Sequence, residues 1–300
     1  INEYTVRNVN LPLMYYRQHD TNMSDNLSGR LNARRDIKSE FVEMNLGEQL
    51  SETEILGIVP VRAEQRIDPP ESAHDTVTSP LALHDVAGQP LLTYTIEEAL
   101  AADRLDRVVV TTEDPEIAAA ARELGADVPF LREATLAERD VMLGELMDKT
   151  LSRLASENGY EPDFVVLMQY VSPLKTANTI DELVDTWQMF EVGSVLSVTK
   201  NNSFLWRPGQ LGLEPLFDER LLREKRETLY QENGALYGFT PETVEKQGDV
   251  LGDSVGHIIM QEHRSTHIDS WFELQMCETI LNSENGLIPQ FRGEIINSSQ

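Results

Sequence analysis

Short apolar runs alternate with longer amphipathic segments from residue 55 onward. The runs are rich in Val, Ile and Leu, which is typical of buried strands. The segments between them carry apolar residues at helical spacing. This alternation predicts an α/β fold with a mostly parallel sheet and helices on both faces. In such sheets ligands bind beyond the carboxyl ends of the strands.

The predicted elements follow one another closely. Strands are predicted at residues 55–60, 107–112, 128–131, 164–168 and 194–198. Helices are predicted at residues 90–102, 141–154 and 180–190, with another from Pro115 to near Gly125 that Asp114 caps.

The chain divides into three predicted parts, which are an N-terminal extension at 1–46, a main domain at 47–284 and a polar tail at 285–300. Residues 1–50 hold six basic and seven acidic residues, whereas the remaining 250 hold 19 and 44. This contrast favours a different origin for the first segment. Because the chain opens with Ile1, we also expect it to be a piece of a longer protein.

The formal net charge of −26 narrows the function classes. Only six of the 25 basic residues are lysine, and an acidic, lysine-poor surface indicates adaptation to a salt-rich cytoplasm. The alternative, an acidic patch for basic partners, would require clustering, and the acids are spread out. Without a basic stripe, nucleic-acid binding is disfavoured.

Two further absences limit the possibilities. The single cysteine, Cys277, excludes an internal disulfide framework and a cysteine-based zinc cluster. No stretch approaches about 18 apolar residues and no signal peptide is visible, so we expect no membrane span and a cytoplasmic location.

Several phrases occur in a recognisable order. They read RVVVTTEDPEIA at 107–118, LGADVPFLR at 124–132, QYVSPLK at 169–175, GSVLSV at 193–198, YQENGALY at 230–237 and STHIDS at 265–270. Together they resemble the signatures of the acylneuraminate cytidylyltransferases, which include the CMP-sialic acid synthetases. The phrase at 169–175, for example, is similar to the family's QPTSPLR. The resemblance spans roughly residues 54–284.

The resemblance implies a reaction and a fold. The reaction is transfer of CMP from CTP to a sialic-acid-like nonulosonic acid, with release of pyrophosphate. The fold would be a Rossmann-like, GT-A-like nucleotidyltransferase sheet, as a homodimer that uses Mg²⁺ or Mn²⁺. Positioning and charge neutralisation dominate such phosphoryl chemistry, so cations must hold the triphosphate.

The family's phosphate loop reads A-R-G-G-S-K-R, and here it reads VRAEQR at 61–66. Arg62 matches the first arginine, and Arg66 falls where the loop lysine belongs; both are candidate catalytic and nucleotide-binding residues. The glycines that admit phosphate to backbone N–H groups are replaced by Ala63 and Glu64. The alternative is that the two arginines are surface residues on a decayed loop. Arg132 matches the arginine of the family's FLRP phrase, near the nucleotide.

The family's D-I-D pair, which shares one metal ion, is half missing. Asp269 matches the second aspartate, and His267 replaces the first. Neutral histidine is a poor Mg²⁺ ligand but a fair one for Mn²⁺. Asp269 is therefore both a catalytic and a metal candidate, with a helix-capping aspartate before Trp271 as the alternative.

For the sugar acid, the resemblance carries over Gln169, Arg223 and Asn233 as binding residues. An arginine fork suits a carboxylate. Arg207 lies near a position where some family members have a sugar-binding lysine, and it is a weaker candidate.

The segment LPLMYYRQHDTNMS at 11–24 resembles the closing segment of a family 2 glycosyltransferase, where a basic helix follows. An amphipathic extension is the alternative. Two functions therefore stand side by side. One is an active cytidylyltransferase, and the other is a weak or inactive module that is fused to, or a partner of, a glycosyltransferase. A third, less favoured, keeps the fold but changes the nucleotide or sugar.

The acidic surface generates a prediction about salt. Because unscreened carboxylates repel one another, the melting temperature should rise steeply from dilute buffer to molar KCl. Differential scanning calorimetry across a KCl series measures this. A melting temperature that does not respond to salt would contradict the halophilic interpretation.

Overall fold

The computed structural model describes residues 27–65, 67–68, 80–210, 212–222, 225–226 and 228–284. Its centre is a six-stranded sheet in the order β10-β6-β9-β5-β1-β4. These strands are β1 (Ile55–Pro60), β4 (Arg107–Thr111), β5 (Phe164–Met168), β6 (Ser194–Asn201), β9 (Leu229–Phe239) and β10 (Val255–Ile259).

Five of the six strands run in one direction. β1 is parallel to both β4 and β5, and β6 is parallel to β10. β9 is antiparallel to its neighbours β5 and β6. The predicted mostly parallel α/β sheet is therefore confirmed, with one antiparallel strand near the middle.

Alternate residues of each strand enter opposite core layers, because successive side chains of a strand point to opposite faces. In β5, Phe164 and Val166 pack into one layer, and Val165 and Leu167 pack into the other. All five residues of β5 are buried. This explains why the strand reads as a continuous apolar run rather than an alternating one.

Seven helices surround the sheet in the described part of the chain. They are α1 (Leu27–Ser51), α2 (Leu91–Leu100), α3 (Pro115–Glu123), α4 (Leu143–Asn158), α5 (Ala177–Phe190), α6 (Pro241–Gln247) and α7 (Trp271–Glu284). Helices α2, α3, α5 and α7 contribute to one core layer, and α4 and α6 to the other. As predicted, the Asp114 carboxylate caps α3 by accepting from the backbone N–H groups of Glu116 and Ile117.

Two small hairpins complete the strands. β2 (Asp85–Val86) pairs with β3 (Gln89–Pro90) around a tight turn, and Gly88 has a φ of 94° there. β7 (Trp206–Gly209) pairs with β8 (Gly212–Pro215).

The predicted strand at residues 128–131 is wrong. Only Asp127 bridges to Val109, through bonds that it makes with Val108 and Val110. The chain then leaves the edge of the sheet, because Pro129 has no N–H to donate to a ladder. The segment still places Arg132, whose N–H bonds to the Thr112 carbonyl.

Helix α1, which begins inside the predicted extension at 1–46, lies against α5. The Lys38 side chain is only 9% exposed and donates to the Glu182 carboxylate and the Thr186 hydroxyl, each at 3.0 Å. Val42 is fully buried. The segment at 11–24 that resembles a glycosyltransferase and the tail at 285–300 lie outside the described residues, so the predicted three-part division stays a prediction.

No helix in the part of the chain described here has both the length and the apolar character needed to span a membrane.

The buried ion pair of α1 generates a stability prediction. Lys38→Ala removes the cation and leaves the Glu182 carboxylate buried without its partner, which should lower the free energy of unfolding by about 3 kcal/mol. Urea denaturation followed by circular dichroism measures the loss. Lys149→Ala, which breaks an exposed pair with Asp148, is the matched control and should change stability by less than about 1 kcal/mol. Equal effects of the two variants would show that α1 is not held by this bond.

Candidate active site

A cleft lies beyond the carboxyl ends of β1 and β5, where a parallel sheet is expected to bind ligands. Three of the predicted site residues, Arg62, Arg132 and Gln169, line it. The other lining residues are Pro60, Gln65, Leu136, Glu138, Val141, Leu143 and Leu146. The cleft is therefore lined by two arginine side chains, the Gln169 amide and several apolar side chains.

Arg132 is almost fully buried at the floor of this cleft. Its Nε and Nη2 donate to the Glu113 carboxylate at 3.0 and 2.7 Å, and Nη2 also donates to the Val61 carbonyl. Burial lowers the pKa of Arg132, and the Glu113 charge opposes that effect. Nη1 is buried and has no hydrogen-bond partner among the described residues. Because buried polar atoms are usually hydrogen-bonded, this nitrogen is a candidate donor to a bound anion.

Arg62 extends from the loop at 61–65 and donates to the Glu138 carbonyl at 3.3 Å. Its charge also acts on Arg132, whose pKa it lowers. Two arginines so close repel each other unless an anion lies between them or beside them. Glu64, which replaces a glycine of the family's loop, is exposed and is not among the residues that line the cleft.

Gln169 lies on a tight turn after β5 that a buried lysine holds. Lys175 Nζ donates to the carbonyls of Gln169 and Ser172, each at 2.7 Å, and contacts the Thr95 hydroxyl at 2.8 Å. Burial lowers the pKa of Lys175 to about 7. Its role is to fix the turn that presents the Gln169 side chain to the cleft.

Asn233, predicted to bind the sugar acid, is buried, and its amide is fully engaged. Its Oδ1 accepts from the Ser197 hydroxyl at 2.6 Å and from the Ala235 N–H. Its Nδ2 donates to Met260 Sδ and to the Ser265 hydroxyl. These bonds tie β9 to β6 and to the segment after β10.

His267 and Asp269 lie beside the same turn. His267 Nδ1 is 2.9 Å from the Ser172 hydroxyl, and Nε2 is 3.4 Å from Asp269 Oδ1. Burial lowers the pKa of His267, the Asp269 charge raises it, and the Lys175 charge lowers it. The net lowering favours a neutral imidazole at pH 7.

The Asp269 carboxylate is 74% exposed. Helix α7 is capped by Ser270 and Glu273 instead, because the Ser270 hydroxyl donates to Glu273, and Glu273 accepts from backbone N–H groups of Asp269 and Ser270. The Glu273 side chain thus reaches back to the N–H groups at the helix start, which is one half of a capping box. The Asp269 side chain is therefore not needed as a cap. Neither Asp269 nor His267 lines the Arg62 cleft, so a single shared site stays a prediction.

The remaining candidates are less informative. Arg66 and Arg223 lie outside the described residues. Arg207 is exposed on the β7–β8 hairpin and pairs with Glu214 at 3.4 Å. Within the described segments, no three His, Cys, Asp or Glu side chains are grouped as a metal site.

Sequence reasoning missed three residues that organise this region, which are Glu113, Tyr170 and Lys175. Tyr170 is buried, and its hydroxyl donates to Gln65 in the phosphate loop at 3.0 Å. Each of the three lies inside a phrase that resembles the family's signatures. A close look at the departures within those phrases could have found Tyr170, which stands where the family phrase has proline.

Comparison with known proteins agrees with the family resemblance of the sequence phrases. A family model described as cytidylyltransferase matches residues 82–190. The N-acylneuraminate cytidylyltransferase of Escherichia coli is 28% identical over 208 residues, which cover 66% of this chain and 47% of that protein. The chain thus spans about half the length of that relative. The CMP-N,N'-diacetyllegionaminic acid synthase of Legionella pneumophila is 24% identical over 233 residues, with 76% of this chain and 96% of that protein covered.

Among solved structures, a CMP:2-keto-3-deoxy-manno-octonic acid synthetase complexed with CTP has a TM-score of 0.55 at 11% identity. The match covers 77% of this chain and 100% of the synthetase chain. At this identity the likeness concerns the fold alone. Motif order, sheet topology and sequence similarity agree in that the chain is similar to the cytidylyltransferases, the acylneuraminate cytidylyltransferases among them.

Proposed function

We propose that this protein transfers CMP from CTP to a sialic-acid-like nonulosonic acid and releases pyrophosphate. The observation that carries the proposal is the cleft in which Arg62 and Arg132 converge with Gln169, with Arg132 Nη1 buried and unpaired in the described part of the chain. A triphosphate would supply an acceptor for Arg132 Nη1 and negative charge to both arginines. The relatives named for CMP transfer to nonulosonic acids supply the substrate class.

The arginines neutralise charge during the reaction. The anomeric hydroxyl of the sugar attacks the α-phosphorus and loses its proton to water, the bond to the bridging oxygen breaks, and pyrophosphate leaves with its negative charge. We assign Arg62, Arg66 and Arg132 to the triphosphate, because the fork geometry of arginine suits phosphate oxygens. Because phosphoryl transfer needs little covalent help from the protein, such positioning supplies most of the catalysis.

The residues at 267–269 fit a divalent metal that keeps several water ligands. Asp269 offers an exposed carboxylate, and His267 has Nδ1 engaged by Ser172, which leaves Nε2 available. A bound Mg²⁺ or Mn²⁺ would supply positive charge to the triphosphate there. The imidazole in place of a carboxylate favours Mn²⁺ over Mg²⁺.

The sugar acid is assigned to Gln169, Arg223 and Asn233. The bonds that Asn233 already makes favour a supporting role over direct contact with the substrate. The arginine would bind the carboxylate of the sugar in a forked geometry.

Assembly as a homodimer is part of the proposal. The β7–β8 hairpin exposes Trp206, Leu213 and the nearby Leu216, which are 43, 70 and 52% accessible in the single chain. A second copy that covers this apolar surface would remove it from water. We further propose a cytoplasmic, salt-adapted enzyme.

The competing function is a weak or inactive module that serves a glycosyltransferase. The observations that favour it are the loss of loop glycines at Ala63 and Glu64 and the histidine at position 267. Turnover by the purified protein separates the two.

Catalysis by Asp269 is directly testable. Asp269→Ala should lower kcat about 100-fold or more, because removing a stabiliser of transition-state charge costs on the order of 3 kcal/mol. His267→Asp restores two carboxylates and should raise the affinity for Mg²⁺. Pyrophosphate release is measured in molar KCl with CTP, Mg²⁺ or Mn²⁺ and a panel of nonulosonic acids.

Asp148→Ala, which removes an exposed carboxylate on α4, serves as the control and should keep the parent rate. If the parent protein shows neither pyrophosphate release nor calorimetric binding of CTP, the enzyme proposal fails and the module replaces it.

The dimer is tested through Leu213→Asp. A carboxylate on the exposed hairpin should convert a dimer into a monomer in light scattering, since it would be buried without a partner. Leu100→Asp, which alters an exposed leucine at the end of α2, is the control. A parent protein that is already monomeric at micromolar concentration would contradict the assembly.

A further inference from the structure

The phosphate loop is ordered by this chain's own side chains despite its missing glycines. None of the residues 61–65, all of which the structure describes, has a positive φ. Ala63 and Glu64 therefore adopt this backbone without the strain that a left-handed conformation would impose. The loop has a shape that does not require glycine, and something else must fix that shape.

Glu113 fixes the loop from the carboxyl end of β4. Its Oε1 accepts from the Ala63 N–H at 2.8 Å, and its Oε2 accepts from Arg132 Nε and Nη2 at 3.0 and 2.7 Å. One carboxylate thus joins the loop backbone to the buried guanidinium. It leaves Nη1 as the part of Arg132 without a partner among the described residues.

Tyr170 fixes the loop from the carboxyl end of β5. Its hydroxyl donates to Gln65 Oε1 at 3.0 Å, and the ring is 1% exposed. Gln65 stands where the family phrase A-R-G-G-S-K-R has serine, and Tyr170 stands where the family phrase has proline. Serine could not reach so far and proline could not donate, so the two departures form one bond that depends on both.

We propose that Glu113 and Tyr170 are positioning residues that hold loop 61–65 so that Arg62 and Arg132 bind the triphosphate of CTP without a glycine cradle. The inference rests on the proposed function. It also accounts for the missing glycines, because a loop held by side chains does not need the close backbone approach that glycine allows. The departures from the family pattern then form a compensated set.

If Glu113 and Tyr170 had only a structural role, replacing them would lower stability and affect both substrates alike. A positioning role predicts a selective effect on one substrate. The KM for CTP should rise and the KM for the sugar acid should not. Charged and neutral hydrogen bonds differ in strength, so Glu113→Gln should raise the KM for CTP about tenfold or more, and Tyr170→Phe about threefold. Tyr170→Phe keeps the buried ring, so its melting temperature should stay close to that of the parent.

Two further variants sharpen the test. Gln65→Leu removes the partner of Tyr170, and the double variant with Tyr170→Phe should raise the KM for CTP no more than either single variant does. Asp127→Asn is the matched control, because it breaks an arginine–carboxylate bond with Arg107 at the opposite end of β4. It should leave the KM for CTP unchanged.

Calorimetric Kd values for CTP are measured beside the steady-state constants. If the parent binds CTP without turnover, the Kd values of parent and variants still test the positioning roles. A parent that turns over normally while the Tyr170→Phe and Glu113→Gln variants keep its KM and Kd for CTP within twofold would overturn this inference alone. Additive effects of Gln65→Leu and Tyr170→Phe would overturn the claim that they act as one bond. A parent that neither binds CTP nor releases pyrophosphate would overturn both this inference and the proposed function.

Discussion

A buried guanidinium must be compensated, and Arg132 imposes that requirement on the whole active-site edge. A charge taken out of water costs several kcal/mol unless a partner of opposite sign and good geometry is present. Glu113 provides that partner, and the same carboxylate binds the loop after β1. The positions of β1, β4 and the segment that carries Arg132 are thereby linked through one side chain. Loop geometry, cleft shape and the unpaired Nη1 all follow from this bond.

The sheet and most helices could be predicted because their signals are local. Residues 55–60 and 164–168 were predicted at the bounds that the structure gives, since both strands are buried on two faces and read as continuous apolar runs. The strand predicted at 128–131 was wrong for the opposite reason. It has the composition of a strand, but pairing depends on a neighbour and on free N–H groups, which local composition does not report.

The site could be predicted only as a set of residues, because contacts between distant segments are not encoded in spacing. Arg62, Arg132 and Gln169 were found through their phrases, and the fold brings them together at one cleft. Their partners Glu113 and Lys175 were missed, because a carboxylate in a loop and a lysine in a turn look like ordinary surface residues until burial is known. The reverse holds for Asn233, whose phrase predicts substrate binding while its amide is engaged in joining strands.

Lysine usage connects the acidic composition to this architecture. The chain has only six lysines, and two of them, Lys38 and Lys175, are buried. Lys38 joins α1 to α5, and Lys175 holds the turn after β5, so each makes bonds that its ammonium group supplies to several acceptors. Selection against surface lysine would spare such residues, because replacing a buried cation leaves its acceptors without a donor. Two of the few lysines that this acidic protein retains thus mark positions where an amine donor inside the fold joins separate segments.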